Sequence, residues 1–218
     1  MEWTRAVDGY CERIGAEYWA EPVNAVTNLA FLIAAFLMWR RSRGIAMAQF
    51  LCVILGAIGV GSFFFHTYAQ VWAGLADVVP IALFILTYLF AVNRDAVGLR
   101  TGRALGMTAL FFPYAAVMVP AFAAFSWMGS SAGYAPVPLL ILIYAGFLRK
   151  KHPEFAQGMV SGAVILIVSL FFRTVDEPLC QNFPLGTHFL WHVLNGLMLG
   201  WMIEVYRRLR LGKGAVAR

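Results

Sequence analysis

Charged side chains are scarce in this sequence of 218 residues, of which 13% are charged and 61% are hydrophobic. Soluble domains carry about 25% charged residues, so the composition excludes an ordinary soluble enzyme or binding domain. It indicates an integral membrane protein instead. At about 20 residues for each transmembrane helix, with short loops, the length predicts an all-α bundle of seven transmembrane helices that uses residues 1–218 as a single domain.

A cleavable signal peptide is not recognisable either, because residues 1–22 carry five acidic residues and no early apolar core. We expect residues 1–22 to form an extramembrane N-terminal segment and the first span to act as the targeting signal. No internal repeat suggests the inverted halves of a transporter. The net charge of +6 does not predict nucleic-acid binding, because the basic residues form short clusters between apolar runs.

Apolar runs separated by basic or Gly-rich links predict the positions of the seven spans. The expected spans are 23–39, 46–64, 75–92, 105–125, 136–148, 158–172 and 187–206. The stretches after spans one, three, five and seven hold 14 of the 17 Lys and Arg residues. Basic loops stay on the cytoplasmic side, so we expect an outside N-terminus and a cytoplasmic basic tail at 207–218.

The cellular location follows less directly from the sequence. The basic tail and the lack of a signal peptide suit a bacterial inner membrane, although the membrane of an organelle would give a similar pattern.

Two histidines lie four residues apart at the start of the seventh span, His188 and His192. A helix turns a little more than once in four residues, so the two imidazoles share one face, and this spacing suits a metal ion. Ionisable residues inside a membrane are functional candidates by default. The alternative is a pair of interfacial histidines.

Three further polar residues are expected in the same outer leaflet. Ser62 and His66 lie at the outer end of span two and share a face, and Asp77 lies at the outer start of span three. Three histidines with one open position form a ligand set for catalytic zinc. Asp77 suits a general base or a partner that orients a histidine, and Ser62 suits a donor to an oxyanion.

These polar residues also have structural alternatives. A serine in a span often bonds to its own helix, an aspartate at a span end is often interfacial, and a lone histidine can join two helices by a hydrogen bond. His152 lies in a predicted cytoplasmic loop, on the other side of the membrane, and we exclude it from the site.

The pattern Ser62-x-x-x-His66, then Asp77, then His188-x-x-x-His192 resembles the alkaline ceramidase family, within a wider group of seven-span metal-dependent membrane hydrolases. The stretch 20–28, Ala-Glu-Pro-Val-Asn-Ala-Val-Thr-Asn, is similar to that family's entrance to span one, and Tyr10-Cys11-Glu12 resembles its Trp-Cys-Glu. The histidine motif is shared with progesterone- and adiponectin-receptor-like relatives. The N-terminal block points to the ceramidase branch.

The resemblance implies hydrolysis of the amide bond of ceramide-like N-acyl lipids to a sphingoid base and a fatty acid. In that case His66, His188 and His192 hold zinc, Asp77 activates water and Ser62 stabilises the oxyanion. Two other functions stay open. One is a seven-helix receptor or sensor with a structural zinc, and the other is a transporter or proton channel without a metal.

The resemblance also implies a calcium site in the N-terminal segment. The candidate ligands are Asp8, Tyr10, Glu12 and Glu21, of which the carboxylates offer the hard oxygens that calcium takes. Gly9 and Ile14 stand where the family pattern has Asp and Asn. The alternative is a solvated acidic segment.

The sequence has three cysteines, of which Cys52 lies in span two and is expected in the core. Cys11 and Cys180 both fall on the outer side, where a disulfide can persist, and the resemblance implies that they pair. Two free thiols are the alternative. Arg173 and Asp176, close to Cys180, are predicted to form an ion pair that shapes the entrance to the site.

Overall fold

The structure is a computed structural model that describes residues 2–7 and 9–216. Regular secondary structure in these residues is helical, and the only β pairing in them is an isolated bridge between Ala6 and Gln70. The helices are α1 Pro22–Thr27, α2 Leu29–Arg41, α3 Ala46–Tyr68, α4 Val71–Val92, α5 Thr101–Ala109, α6 Phe111–Ala123, α7 Pro136–Leu148, α8 Pro153–Thr174, α9 Asp176–Leu179 and α10 His188–Val216. A π-helical turn, Asn93–Val97, extends α4, and a 3-10 helix, Ser126–Gly133, precedes α7.

The helices confirm a multi-pass membrane protein. Within the described residues, five stretches are long and apolar enough to cross a bilayer: Pro22–Arg41, Ala46–Tyr68, Val71–Val97, Thr101–Ala123 and Pro153–Thr174. The 3-10 helix and α7, bent by 67° where they meet, bring the number to six if they count as one span. The predicted count of seven therefore depends on α10, which has 29 residues and carries several polar side chains.

One break falls inside a predicted span. The expected run 105–125 is divided at Leu110 into α5 and α6. Pro113 explains the position, because proline has no N–H to bond to the carbonyl four residues earlier and is tolerated in the first turn of a helix.

The α3–α4 hairpin is tighter than the sequence predicts. The expected spans 46–64 and 75–92 leave residues 65–74 between them, but only Ala69 and Gln70 separate the two helices, and Ala69 adopts a left-handed conformation with φ 46°. Gly61 lies so close to the backbone carbonyl of Ala76 that a Cβ atom would not fit. This close approach, in which a small residue lets two helix backbones meet, fixes the end of α3 against the start of α4.

The last helix packs along α8 and α2 through small residues. Gly158 of α8 leaves room for Val205, and Gly162 leaves room for Met202. Gly196 of α10 contacts Ala30 of α2. These contacts place the start of α10 beside the end of α3. The predicted basic tail, 207–218, is helical as far as residue 216.

The N-terminal segment lies across the same end of the bundle. The amide of Val7 donates to the carbonyl of Ala69 at 2.8 Å, and the amide of Val71 donates to the carbonyl of Arg5 at 3.1 Å. Cys11 and Cys180 form the predicted disulfide, with their Cα atoms 5.2 Å apart. The segment is therefore fastened both to the α3–α4 turn and to the loop before α10.

Candidate metal centre

Three histidines meet at this end of the bundle. His66 comes from the last turns of α3, and His188 and His192 come from the start of α10. Each side chain is buried, and one ring nitrogen from each residue lies within 4.8 Å of those of the other two. The described residues contain no second group of this kind. The predicted ligand set is brought together.

Glu21 orients the first of these histidines. Its carboxylate oxygen Oε2 lies 2.5 Å from Nδ1 of His66, and the same oxygen accepts a hydrogen bond from the Asn24 side chain at 3.1 Å. Donation from Nδ1 leaves the lone pair on Nε2 of a neutral imidazole free. Burial acts to raise the pKa of Glu21, but the hydrogen bonds and charges of His66 and Arg13 outweigh it and lower that pKa.

Thr27 holds the second histidine. Its hydroxyl donates to the carbonyl of Val23 at 2.8 Å and lies 3.0 Å from Nδ1 of His192. A hydroxyl has one proton to donate, so toward the imidazole Thr27 acts as an acceptor. This arrangement directs the Nε2 lone pair of His192 away from Thr27.

Asp176 and Tyr10 fix the third histidine. Asp176 accepts hydrogen bonds from the backbone amides of Thr187 at 2.6 Å and His188 at 2.8 Å, so its carboxylate caps the start of α10. The ring of Tyr10 stacks on the imidazole of His188 with centroids 3.7 Å apart. Gly186, with φ 67°, leaves room for Asp176 in this turn.

Two imidazole nitrogens of the cluster have no hydrogen-bond partner among the residues that the structure describes. In the described residues, Nδ1 of His188 and Nε2 of His192 are buried without any hydrogen-bond partner. Buried polar atoms are nearly always satisfied, so two orphaned acceptors in one cluster need an explanation. A metal ion held by neutral imidazoles supplies it, and three nitrogen ligands with carboxylate and hydroxyl partners behind them fit zinc well.

Ser62 and Asp77 lie beside this cluster and line one cavity. Ser62 is one helical turn before His66, and Asp77 comes from the first turns of α4. The cavity is partly open, and it encloses, together with the open space at its mouth, about 970 Å³ that is free of protein atoms. Apart from a few polar groups its lining is apolar, with Ile58, Ile81, Phe84, Leu140, Met159 and Leu166 among the residues that form it.

Comparison with known families assigns the chain. The family model for Ceramidase matches residues 5–215, which is nearly the whole sequence. The chain belongs to the ceramidase family. No curated protein matches it at a significant level. Members of this family act on lipids, which agrees with a polar centre that adjoins an apolar cavity in a membrane protein.

Three contacts of the histidine cluster, those of Glu21, Thr27 and Asp176, are not predicted by the sequence, which assigns Glu21 only to the candidate calcium site. Thr27 was noticed only as part of a motif, and Asp176 was expected to pair with Arg173. That prediction is wrong, because the oxygens of Asp176 accept amide protons. Arg173 donates instead to the Tyr10 hydroxyl at 3.0 Å, with its guanidinium 5.1 Å from the ring centre of Trp191. Burial raises the pKa of Tyr10, against the opposing charge of Arg173.

The candidate calcium ligands have other partners. Glu12 accepts hydrogen bonds from the amides of Val23 at 2.6 Å and Asn24 at 2.8 Å, which caps α1. Burial raises the pKa of Glu12, although these two amides act to lower it. The carbonyl of Tyr10 accepts the amide proton of Arg13 at 3.2 Å.

Glu21, the fourth candidate, is already bonded to Arg13, His66 and Asn24, and Asp8 lies outside the described residues. The described oxygens therefore do not fit a calcium ion.

Proposed function

We propose that the protein hydrolyses the amide bond of ceramide-like N-acyl lipids, giving a sphingoid base and a free fatty acid. The observation that carries the proposal is a buried three-histidine cluster with orphaned nitrogens, placed beside Asp77 and Ser62 in a chain of the ceramidase family. The adjoining apolar cavity supports a substrate with long hydrocarbon chains.

His66, His188 and His192 are the residues that would hold zinc. Bound there, zinc would act as a Lewis acid toward water and toward the amide carbonyl. Glu21 and Thr27 contribute by fixing two of the imidazoles in the orientation that leaves their other nitrogen free. Such outer partners typically change metal affinity or activity by about 10- to 100-fold when they are removed.

Asp77 is the group that moves the proton. As a carboxylate, it accepts a proton from the attacking water, whose oxygen forms a bond to the amide carbon. It then delivers that proton to the amide nitrogen as the carbon–nitrogen bond breaks, so the sphingoid base leaves as an amine. Ser62, which lines the same cavity as Asp77, donates a hydrogen bond to the oxygen of the tetrahedral intermediate.

The apolar cavity supports binding of the hydrocarbon chains. Its walls come from several helices, including α3, α4, α7, α8 and α10, and its polar groups are confined to a few positions such as Ser62 and Asp77. A lipid whose chains lie among these walls brings its amide to the polar end. This separation of apolar and polar lining is typical of ligand sites that orient a substrate.

The membrane arrangement is also part of the proposal. A helix of 29 residues spans about 43 Å at 1.5 Å per residue, which exceeds the hydrocarbon core of a bilayer. With α10 as the seventh span, the basic loops fall on the cytoplasmic side and the histidine cluster lies in the outer leaflet. We also propose a bacterial inner membrane as the location, which the basic tail at 207–218 suits.

The test is incubation of purified protein with a fluorescent ceramide, with and without a zinc chelator. We expect release of labelled fatty acid, its loss after chelation, and its return when zinc is added back. A phospholipid with ester-linked chains of equal length serves as the control substrate. Zinc binding without cleavage of any lipid amide or ester would favour the receptor with a structural zinc and contradict the hydrolase.

A further inference from the structure

Arg13 is a buried cation in the N-terminal segment. Its side chain is 4% exposed, and its Nε donates to Oε1 of Glu21 at 2.5 Å, where the Glu21 side chain is 3% exposed. An ion pair that is fully removed from water carries a large desolvation cost, which is repaid only when hydrogen bonds satisfy the remaining groups. The partners of the other two guanidinium nitrogens therefore matter.

Three backbone carbonyls supply those partners. Nη1 donates to the carbonyl oxygens of Gly15 at 3.2 Å and Glu17 at 3.4 Å, and Nη2 donates to the carbonyl oxygen of His66 at 3.2 Å. Together with Glu21, four oxygens from three separate stretches of chain surround one positive charge. Carboxylate and carbonyl oxygens of this kind are the ligands that a calcium ion takes in proteins.

The same arginine acts on the histidine cluster from two sides. It holds Oε1 of Glu21 while Oε2 of that carboxylate orients Nδ1 of His66, and it also bonds the backbone carbonyl of His66. The planar fork of a guanidinium can join these groups at once, whereas an ammonium group cannot reproduce the geometry.

The other candidate calcium carboxylate that the structure describes in this segment is already used. Both oxygens of Glu12 accept amide protons at the start of α1. Glu17 contributes its backbone carbonyl to Arg13, and its residue is exposed. A metal ion at the place of the guanidinium would therefore have to displace Arg13 from Glu21.

We propose that Arg13 is a built-in cation that takes the place of a bound calcium ion. It holds Glu21 against His66 and fastens the N-terminal segment to the end of α3, so the histidine site forms without calcium. Arg13 is thus a positioning residue for the first metal ligand. This inference rests on the proposed metal binding by the three histidines.

The first test is a calcium titration of the wild-type protein after calcium is removed by gel filtration. We expect no bound calcium and no shift in melting temperature up to about 1 mM, the range in which weak extracellular calcium sites fill. Magnesium is the control ion. Stoichiometric calcium binding, or a rise in melting temperature with calcium alone, would overturn the proposal, and this result does not require any variant to fold.

The second test measures zinc affinity by chelator competition, with the visible spectrum of the Co²⁺-loaded protein as a report on the ligand geometry. We expect Arg13→Ala to weaken zinc binding about 10-fold, the low end for outer partners of a metal ligand, and to change the cobalt spectrum. In Arg13→Ala, calcium is expected to restore part of the zinc affinity, because it can bind the oxygens that Arg13 no longer contacts. Magnesium is not expected to restore it. Arg13→Lys keeps the charge without the fork and is expected to lie between Arg13→Ala and the wild type.

Arg5→Ala, which removes an exposed arginine of the same segment, is the matched control and leaves zinc affinity unchanged. Wild-type affinity in Arg13→Ala, or a loss that calcium does not reverse, would overturn the proposal. A wild-type protein that binds no zinc would instead refute the proposed function, so the two failures are distinguishable.

Discussion

The start and the second half of α10 both carry polar side chains, but the partners of these side chains come from different places. At its start, His188 and His192 are buried, and their partners come from the N-terminal segment, α1, α3 and the loop before the helix. Toward its end, Glu204 accepts hydrogen bonds from Arg207 at 2.8 Å and Arg208 at 2.8 Å, which belong to the same helix. Among the residues that the structure describes, only Arg41 joins that group from another element, at 3.2 Å.

The difference separates a candidate ligand site from a cluster of ion pairs that stabilises the fold. Ion pairs three and four residues apart are neighbours on any helix, so they form without the assembly of distant elements. The histidines, in contrast, are assembled from elements more than 100 residues apart, and two of their nitrogens have no partner in the described protein. Such a costly arrangement is explained by a ligand. It follows that substitutions at the two ends must have very different effects.

The largest effect is expected at the start of the helix. His192→Ala removes one of three ligands and lowers ceramide hydrolysis about 10³-fold or more, because the members of a catalytic unit act together. Zinc content, measured by elemental analysis of purified protein, falls with it. His152→Ala, a histidine outside the cluster, serves as control with activity within about twofold of the wild type. Full zinc content in His192→Ala would contradict the ligand assignment.

Asp77→Asn tests whether Asp77 transfers a proton or supports metal binding. The amide keeps the shape of the carboxylate but cannot take a proton, so activity falls about 10²- to 10⁴-fold while zinc content stays at the wild-type level. Turnover of fluorescent ceramide and elemental analysis on the same preparation check both parts. If zinc is lost together with activity, Asp77 supports the metal ligands and is not the base.

Glu21→Gln tests the orientation of His66. The neutral side chain loses its charge interaction with Arg13 and holds the imidazole less firmly, so zinc affinity weakens about 10- to 100-fold. Competition with a chromophoric chelator measures the change. Glu17→Gln, an exposed position of the same segment, is the matched control with unchanged affinity. Equal affinities of the two variants would show that Glu21 has no role at the site.

The smallest effect on the histidine site is expected from Glu204, in the second half of α10. Glu204→Gln removes the charge of a carboxylate that is 8% exposed and pairs with three arginines, and it is expected to lower the free energy of unfolding by about 1–3 kcal/mol. Thermal melting in detergent measures it, and zinc content and ceramide turnover stay unchanged. A loss of zinc from this variant would mean that the ion pairs of Glu204 support the histidine cluster, which would contradict this expectation.

The sequence allowed the helical class and the histidine ligand set to be predicted for physical reasons. Long apolar runs cannot be anything other than spans in a chain this poor in charge, and ionisable residues within them stand out. Lys and Arg counts then placed His66, Asp77 and His188 at one membrane depth without any coordinates. The family resemblance and the disulfide between Cys11 and Cys180 were confirmed.

The residues that hold the histidine side chains could not be predicted from the sequence, because they lie far from the histidines along the chain. Glu21 lies 45 residues from His66 and Thr27 lies 165 residues from His192. Asp176 caps a helix that begins twelve positions later, so no local capping pattern marks it. The break at Leu110 depends on Pro113 in an otherwise uniform apolar run, where hydropathy carries no signal.

The central claim is that the three histidines hold one catalytic zinc ion. The most direct measurement is to titrate metal-free protein with zinc and to follow ceramide hydrolysis at each step. We predict that activity rises linearly and reaches its plateau at about one zinc per chain, as expected for a single three-histidine site. Zinc binding that produces no hydrolysis, or hydrolysis that proceeds in protein without zinc, would contradict the claim.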